Sequence, residues 1–235
     1  MPTPAPRVIL CHGLWMPTLA MLKLAHQFSA AGWIPVLFEY STTRDPWEHT
    51  LQRLHDLVEE QGTDGVPVHL VGHSLGGLLA VRYLQTFGPL PHGGRAVCLG
   101  SPLLGSHTAR QLARHLWGRV ALGVAATWLH TGVGACPNHT PVAMIAGCKP
   151  SGAGQMLDHL WQLQAVKAYL QPAVDVTPIG PHDGTVWLSE TQAEGLACHL
   201  TMDCTHTGLT WNERVALACE RFLRGQTASE LSSAA

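Results

Sequence analysis

The feature that most constrains this chain is a serine that stands between two glycines, where an apolar strand meets an apolar helix. Residues 66–71 form a short apolar run that predicts a buried strand, and residues 78–84 predict a helix. Residues 72–76 between them spell GHSLG, which matches the pattern G-x-S-x-G. A side chain at either glycine would collide with strand or helix backbone, so the glycines permit a tight turn that lifts the Ser74 hydroxyl above the sheet. This context favours a nucleophilic serine over an ordinary glycine-rich turn.

Short apolar runs alternate with longer amphipathic runs along the chain, which is typical of a parallel sheet flanked by helices. We predict strands at residues 8–10, 35–40, 66–71, 95–99, 141–146 and 196–202, and helices at residues 17–31, 45–62, 78–84, 106–129, 155–170 and 211–223. Asp45 is expected to cap the second helix, with Pro46 in its first turn. The fold class is therefore α/β, and a chain of 235 residues is expected to form a single domain over residues 1–235.

Composition and charge exclude several classes of function. With 14 basic and 16 acidic side chains and a net charge of −2, the chain lacks the basic surface of a nucleic-acid-binding protein. No apolar run reaches the length of a membrane span, and the first residues resemble no export signal. Seven scattered cysteines without a C-x-x-C pair favour reduced thiols, and hence a cytoplasmic location. We expect no metal and no cofactor, because no dense cluster of ligand residues occurs.

Several separate segments resemble the α/β-hydrolases, of the small bacterial serine esterase and lipase type. The segments are residues 8–15 (VILCHGLW), 72–77 (GHSLGG), 100–102 (GSP), 181–186 (PHDGTV) and 205–208 (THTG). The resemblance implies an α/β-hydrolase fold with a mostly parallel central sheet. It also implies hydrolysis of carboxylic esters through an acyl-enzyme intermediate, and catalytic residues in the chain order Ser, Asp, His.

The resemblance assigns catalytic roles to three residues. Ser74 would be the nucleophile, Asp183 in its Asp-Gly turn the acid, and His206, between the last predicted strand and the last helix, the base. Position in the chain distinguishes His206 from the rest of the 15 histidines of the sequence. Asp203 and Asp175 remain alternative acids, although a carboxylate three places from the base more often caps a turn or faces solvent.

The resemblance also implies an oxyanion hole made by the amides of Leu14 and Leu75. Four further residues are expected to line the substrate site: His12, Gly13, Trp15 and His73. Gly13 would allow close approach of the backbone, and His12 is expected to orient this loop rather than to transfer protons.

Residues 103–139 are apolar, with arginines as their only charged side chains. Two interpretations stay open: a helical cap or lid over an apolar acyl site, or an ordinary packing excursion. The first interpretation favours medium-chain or aromatic acyl esters over charged ones.

The sequence therefore favours a carboxylesterase or lipase that acts on a small-molecule ester or lipid. A thioesterase or acyltransferase would use the same three residues with another leaving group or acceptor. A non-catalytic binding module of this fold is a further alternative, disfavoured because nucleophile, acid, base and both oxyanion loops are present. Product analysis distinguishes the enzymes, and a fluorophosphonate probe distinguishes an enzyme from a binding module. The sequence does not indicate an oligomeric state.

Overall fold

A parallel sheet forms the centre of the computed structural model, which describes residues 5–150 and 179–226. Within these residues the sheet has six strands: β1 (Arg7–Cys11), β2 (Ile34–Phe38), β3 (Val68–His73), β4 (Ala96–Leu99), β5 (Val142–Gly147) and β6 (Cys198–Met202). Their order is β2-β1-β3-β4-β5-β6, and every neighbouring pair is parallel. The chain moves outward from β1 to β2 and returns to β3, so β1 and β3 end side by side. This arrangement confirms the predicted α/β class with a parallel central sheet.

Helices cover both faces of the sheet, which is why its strands read as continuous apolar runs. The described helices are α1 (Leu22–Ala30), α2 (Trp47–Gly62), α3 (Leu75–Phe87), α4 (His107–Leu112), α5 (Leu116–Leu122), α6 (Ala125–Thr131) and α7 (Glu213–Leu223). On one face α2, α3 and α4–α6 enclose the larger apolar core. On the other face α1 and α7 pack over a second core.

Two predicted helices begin differently from the expectation. A 3-10 turn at Thr18–Met21 precedes α1, so the run over residues 17–31 is not one regular helix. The prediction that Asp45 caps α2 is wrong, because Pro46 occupies the cap position without a side-chain hydrogen bond. The Asp45 carboxylate instead accepts a hydrogen bond from the Ser41 amide at 3.3 Å, which stabilises the preceding turn.

The run predicted as helical over residues 106–129 consists of three short helices. Residues 113–115 separate α4 from α5, and Gly123 ends α5 with a φ of 53° before α6 begins. The helix predicted at residues 155–170 lies outside the described residues. Among the residues described, none of the helices combines the length and the apolar character needed to cross a bilayer.

Residues 103–139, for which "the cap" is used below only as a short label, are attached to the domain by apolar contacts. Its buried side chains include Leu112, Leu122 and Leu129, and these continue the larger core. Trp128 of α6 stacks on Trp47 of α2, with ring centroids 3.9 Å apart. The Trp47 indole nitrogen also donates to the Val124 carbonyl at 2.9 Å, so the stack holds α6 against α2.

Replacement of Trp128 by alanine tests how much this contact stabilises the domain. Removing a buried aromatic ring leaves a cavity, so the free energy of unfolding should fall by about 3–5 kcal/mol. Chemical denaturation followed by circular dichroism measures it. The control is Trp211→Ala, because Trp211 is exposed; its change should stay within about 0.5 kcal/mol. Equal losses in the two variants would contradict the assigned contact.

Candidate active site

Ser74 lies at the sharp turn between β3 and α3. Its backbone has φ 53° and ψ −116°, a region that non-glycine residues rarely adopt and that costs of order 1–3 kcal/mol. Two hydrogen bonds hold it there: the Ser74 amide donates to the Leu99 carbonyl at 2.8 Å, and the Gly77 amide donates to the Ser74 carbonyl at 3.0 Å. The turn is therefore fixed by β4 on one side and by the first turn of α3 on the other.

The glycines that flank Ser74 have the close backbone contacts expected from the sequence. A Cβ on Gly72 would collide with the Gly76 carbonyl, and a Cβ on Gly76 would collide with the Cys11 carbonyl at the end of β1. The start of α3 thus presses directly on β1, where a side chain of any size would push the two elements apart.

Asp183 and His206 form a buried hydrogen-bonded pair. The His206 Nδ1 and the Asp183 Oδ2 are 2.7 Å apart, and the His206 amide donates to the Asp183 carbonyl at 2.9 Å. The Asp183 Oδ1 accepts from the amides of Thr185 at 2.9 Å and Val186 at 2.8 Å. With its proton on Nδ1, the ring keeps Nε2 as its basic nitrogen. Both oxygens of this buried carboxylate are therefore used.

The ionised form of Asp183 is favoured despite its burial. Burial acts to raise the pKa of Asp183, but the charge and hydrogen bond of His206, together with the amides of Val186 and Thr185, outweigh it. The net result is a pKa below the ordinary 3.8 of this side chain. Asp183 is thus an anion that fixes the orientation of the His206 ring.

The backbone of Gly100 lies against this pair. A Cβ at Gly100, where φ is +55°, would lie 3.0 Å from the Asp183 Oδ2 and 3.2 Å from the His206 Nδ1. Any side chain there would crowd the hydrogen bond. Gly100 belongs to the GSP segment, but this role could not be predicted from the sequence, because its partners come from distant parts of the chain.

His73 connects the serine turn to the loop of His206. Its buried ring lies 4.7 Å from the His206 ring, centroid to centroid, and its Nε2 donates to the His206 carbonyl at 2.9 Å. Burial, followed by the proximity of His206, lowers the pKa of His73 to about 3, so the ring is neutral. Among the described residues, the hydrogen bonds include none from the Ser74 hydroxyl to His206, a bond that often forms only with substrate.

The loop after β1 lies beside Ser74. A Cβ on Gly13 would lie 2.9 Å from the His73 Nδ1 and 3.2 Å from the Ser74 Cβ, which leaves no room for a side chain. Leu14 follows and packs partly buried against the larger core. Leu75, on the other side, is the first residue of α3 and is fully buried. Within the described residues, neither of these two leucine amides donates a hydrogen bond to another group.

Three contacts of His12 lie within or beside this loop. Its Nδ1 lies 3.0 Å from the Gly13 carbonyl, its ring stacks on Tyr40 with centroids 4.5 Å apart, and the Tyr40 hydroxyl donates to its carbonyl at 2.6 Å. Burial lowers the pKa of His12, although nearby carbonyls oppose the change, so the neutral ring is favoured. His12 is placed to orient the loop.

Trp15 connects the same loop to the cap. Its backbone also has a positive φ, 57°, and its amide donates to the Thr42 hydroxyl at 3.2 Å. The indole nitrogen donates to the Ala121 carbonyl at 2.8 Å, and more than half of the side chain is exposed. Trp15 therefore lies at the outer edge of the site, against α5.

Glu190, which is not among the residues predicted from the sequence, is a buried carboxylate that joins the cap to the loop of Asp183. It accepts hydrogen bonds from the His107 amide at the start of α4 and from the Trp187 amide at 2.9 Å. Burial raises the pKa of Glu190, although these two amides oppose the change. The Thr108 hydroxyl adds a second connection, to the Thr185 carbonyl at 2.8 Å. One sequence signal could have pointed to Glu190: it is a carboxylate in a stretch with few charged residues.

Of the two alternative acids, only Asp203 lies among the described residues, and no hydrogen bond joins it to His206 there. Asp203 is exposed, and Asp175 lies outside the described residues. Ser101, the serine of the GSP segment, is fully buried at the end of β4 rather than at a turn into a helix. Among the described residues, no group of three or more His, Cys, Asp and Glu side chains is placed to hold a metal.

Replacing Asp183 with asparagine tests the charge assigned to it. The folded state lowers the pKa of Asp183, so the anion stabilises the fold above the ordinary value of 3.8, and this contribution is lost as the pH falls through the folded-state pKa. Asp183→Asn should therefore unfold more easily at pH 7, by about 1–3 kcal/mol.

The difference between parent and variant should shrink in strong acid. Urea denaturation over a series of pH values measures it. The control is Asp203→Asn, because Asp203 is exposed. A destabilisation by Asp183→Asn that stays constant from neutral to acid pH would contradict the assigned charge.

Comparisons with known proteins identify the family and the fold. A family model described as "Alpha/beta hydrolase family" matches residues 8–214, and no curated protein sequence matches the chain. Among solved structures, the chain is similar to the mature lipase BlEst2 of Bacillus licheniformis, with a TM-score of 0.66 and 20% identity over 95% of this chain and 93% of that chain.

Two further solved structures are similar at lower identity. Phospholipase PlaB of Legionella pneumophila has a TM-score of 0.66 and 15% identity over 98% of this chain and 62% of that chain. The metagenomic carboxyl esterase MGS0156 has a TM-score of 0.59 and 14% identity over 94% of this chain and 76% of that chain. These structural likenesses show a shared fold, and the family model spans most of the sequence. The chain therefore belongs to the alpha/beta hydrolase family.

Proposed function

We propose that this protein is a serine hydrolase that cleaves carboxylic esters of apolar acids through an acyl-enzyme intermediate. One observation carries the proposal: Ser74 is held in a strained turn, and the loop of the hydrogen-bonded pair Asp183–His206 is joined to that turn by His73. A nucleophile, a base and an orienting acid are the three parts that acyl transfer at a serine requires.

In the first half of the proposed reaction, the Ser74 Oγ attacks the ester carbonyl carbon while its proton passes to the Nε2 of His206. The carbonyl oxygen becomes an oxyanion, which the amides of Leu14 and Leu75 stabilise by donating hydrogen bonds. Asp183 stabilises the imidazolium that forms. When the tetrahedral intermediate collapses, the bond to the alcohol oxygen breaks and His206 returns the proton to that oxygen.

Water completes the cycle in the second half. His206 takes a proton from water, whose oxygen attacks the acyl carbon, and a second oxyanion forms in the same place. Collapse breaks the bond to the Ser74 Oγ, which regains the proton from His206, and the carboxylic acid leaves. The neutral His73 supports both halves, because it fixes the His206 carbonyl without placing a second positive charge beside the ring.

An apolar acyl group is supported by the side chains around the serine. Leu14, Trp15 and Met16 follow Gly13 on the loop beside Ser74, and none of them carries a charge. The names of similar structures, a lipase and a carboxyl esterase, support ester hydrolysis as the reaction class. A thioester in place of the ester would follow the same steps with a thiol as the leaving group, so product analysis with both substrate types distinguishes the two activities.

Removal of the nucleophile provides the first test. Ser74→Ala should lower kcat/KM for p-nitrophenyl butyrate by at least about a thousandfold, because the members of such a catalytic unit do not act additively. A fluorophosphonate probe should label the parent and not the variant. Ser101→Ala is the matched control, since Ser101 is buried near the site but does not lie at the turn; it should keep both activity and labelling. Full activity in Ser74→Ala would contradict the proposal.

The acyl preference gives a second test. Across p-nitrophenyl acetate, butyrate and octanoate, kcat/KM should rise with chain length, by up to about fourfold for each buried methylene. The hemisuccinate has the length of butyrate but carries a carboxylate, so it should react more slowly than butyrate. A sharp optimum at acetate, with no turnover of longer esters, would contradict an apolar acyl site.

A further inference from the structure

The orientation of α5 is unusual for a helix of a globular domain. Three of its large apolar side chains face solvent: Leu116 is 77% exposed, Trp117 is 59% exposed and Val120 is 74% exposed. We call these three residues the α5 face. The buried residues of the helix are Gly118 and Leu122. A helix usually buries its large apolar side chains and exposes its small or polar ones, and α5 does the reverse at every large apolar residue except Leu122.

The packing of Gly118 explains the reversal. A Cβ at this position would collide with the Leu112 carbonyl at the end of α4, so α5 approaches α4 through a residue that has no side chain. The Arg119 Nε donates to the Ala113 carbonyl at 2.7 Å, and this second contact holds α5 against the residues that follow α4. At the other end, the Trp15 indole donates to the Ala121 carbonyl at 2.8 Å. These contacts fix the α5 face outward.

The charged side chains of the cap itself all have one sign. From residue 65 to residue 150 the chain has no aspartate or glutamate, and the cap has three arginines. Arg110 lies 4.0 Å from Glu190, which belongs to a different segment, and Arg119 is exposed on α5 itself. A second copy of this chain that packed face to face would bring like charges together. An anionic surface is complementary to the face.

Exposed apolar side chains, a tryptophan and an arginine on one helix are a combination that binds at a membrane surface. The apolar groups enter the boundary between headgroups and acyl chains, tryptophan settles at the headgroup level, and arginines meet lipid phosphates. We propose that the α5 face docks this protein onto an anionic lipid surface. The docking does not depend on the proposed ester hydrolysis. Trp15 joins α5 to the loop beside Ser74, so docking through the α5 face would bring lipid-borne esters close to that loop.

Vesicle binding tests this proposal. The full chain carrying Ser74→Ala is mixed with vesicles of phosphatidylglycerol and phosphatidylcholine, and with vesicles of phosphatidylcholine alone, then sedimented. The Ser74→Ala change keeps any lipid hydrolysis from altering the vesicles. We expect binding to the anionic vesicles that weakens as salt is added, and much weaker binding to phosphatidylcholine alone.

Variants of the α5 face should then lower the partition coefficient in the same Ser74→Ala protein. Trp117→Ser should lower the partition coefficient at least about tenfold, because an aromatic side chain that leaves water for the lipid contributes most to binding. Arg119→Gln should lower it about fivefold, the effect of one cation at an anionic surface. The matched control is Leu19→Ser, since Leu19 is 67% exposed but precedes α1 on the opposite face of the sheet; it should bind as the parent does. Thermal unfolding should be nearly unchanged in Trp117→Ser and Leu19→Ser, because these two side chains are exposed. Arg119→Gln also removes the hydrogen bond to the Ala113 carbonyl, so its binding is measured at a temperature at which circular dichroism shows it to be folded.

Three outcomes would overturn the proposal: no sedimentation with anionic vesicles, equal binding to both lipid compositions, or full binding by Trp117→Ser. Light scattering adds a fourth. A parent dimer that Trp117→Ser dissociates would make a second copy of the chain the occupant of the face. The two proposals fail separately, because vesicle binding is measured without the Ser74 hydroxyl and ester hydrolysis is measured without vesicles.

Discussion

The close backbone contact between the start of α3 and the end of β1 is the constraint on which the site depends. Gly76 lies against the Cys11 carbonyl. Gly13, which lies beside Ser74, is two residues after Cys11 in the chain. The contact therefore sets the distance between the serine turn and the loop that the proposal assigns to the oxyanion. It also explains why the unfavourable backbone of Ser74 persists. The packed sheet and helix around it leave no space for a relaxed turn.

Two buried carboxylates on one loop differ in pKa because their surroundings differ. Asp183 meets His206 at hydrogen-bond distance, and its pKa falls below the ordinary value despite burial. Glu190 receives neutral backbone amides and lies 4.0 Å from Arg110, and burial raises its pKa. The first is suited to balance an imidazolium in the proposed reaction, whereas the second serves as a structural acceptor. A chain with few charges thus uses two of them for separate tasks on one loop.

The sequence predicted the sheet and the serine turn because both depend on neighbours along the chain: apolar runs mark the strands, and two glycines mark the turn. The pairing of Asp183 with His206 followed from a family resemblance, and the structure brings these two residues together. Gly100, Glu190 and the outward face of α5 could not be predicted, because their partners are distant in sequence. The local pattern also gave one wrong prediction. Asp45 is a residue type that often caps helices, but its carboxylate accepts a hydrogen bond from the preceding turn instead.

The connection through Glu190 has a consequence for how this domain could be altered. The same carboxylate accepts a hydrogen bond from the first turn of α4 and from the loop that follows Asp183. The cap is thus not an independent module that can be exchanged for another. A chimaera that receives a foreign cap would retain its acid loop in place only if the new segment offered an N–H at the same point. Directed evolution of the cap would therefore select changes in α5 and α6 more readily than changes at the start of α4.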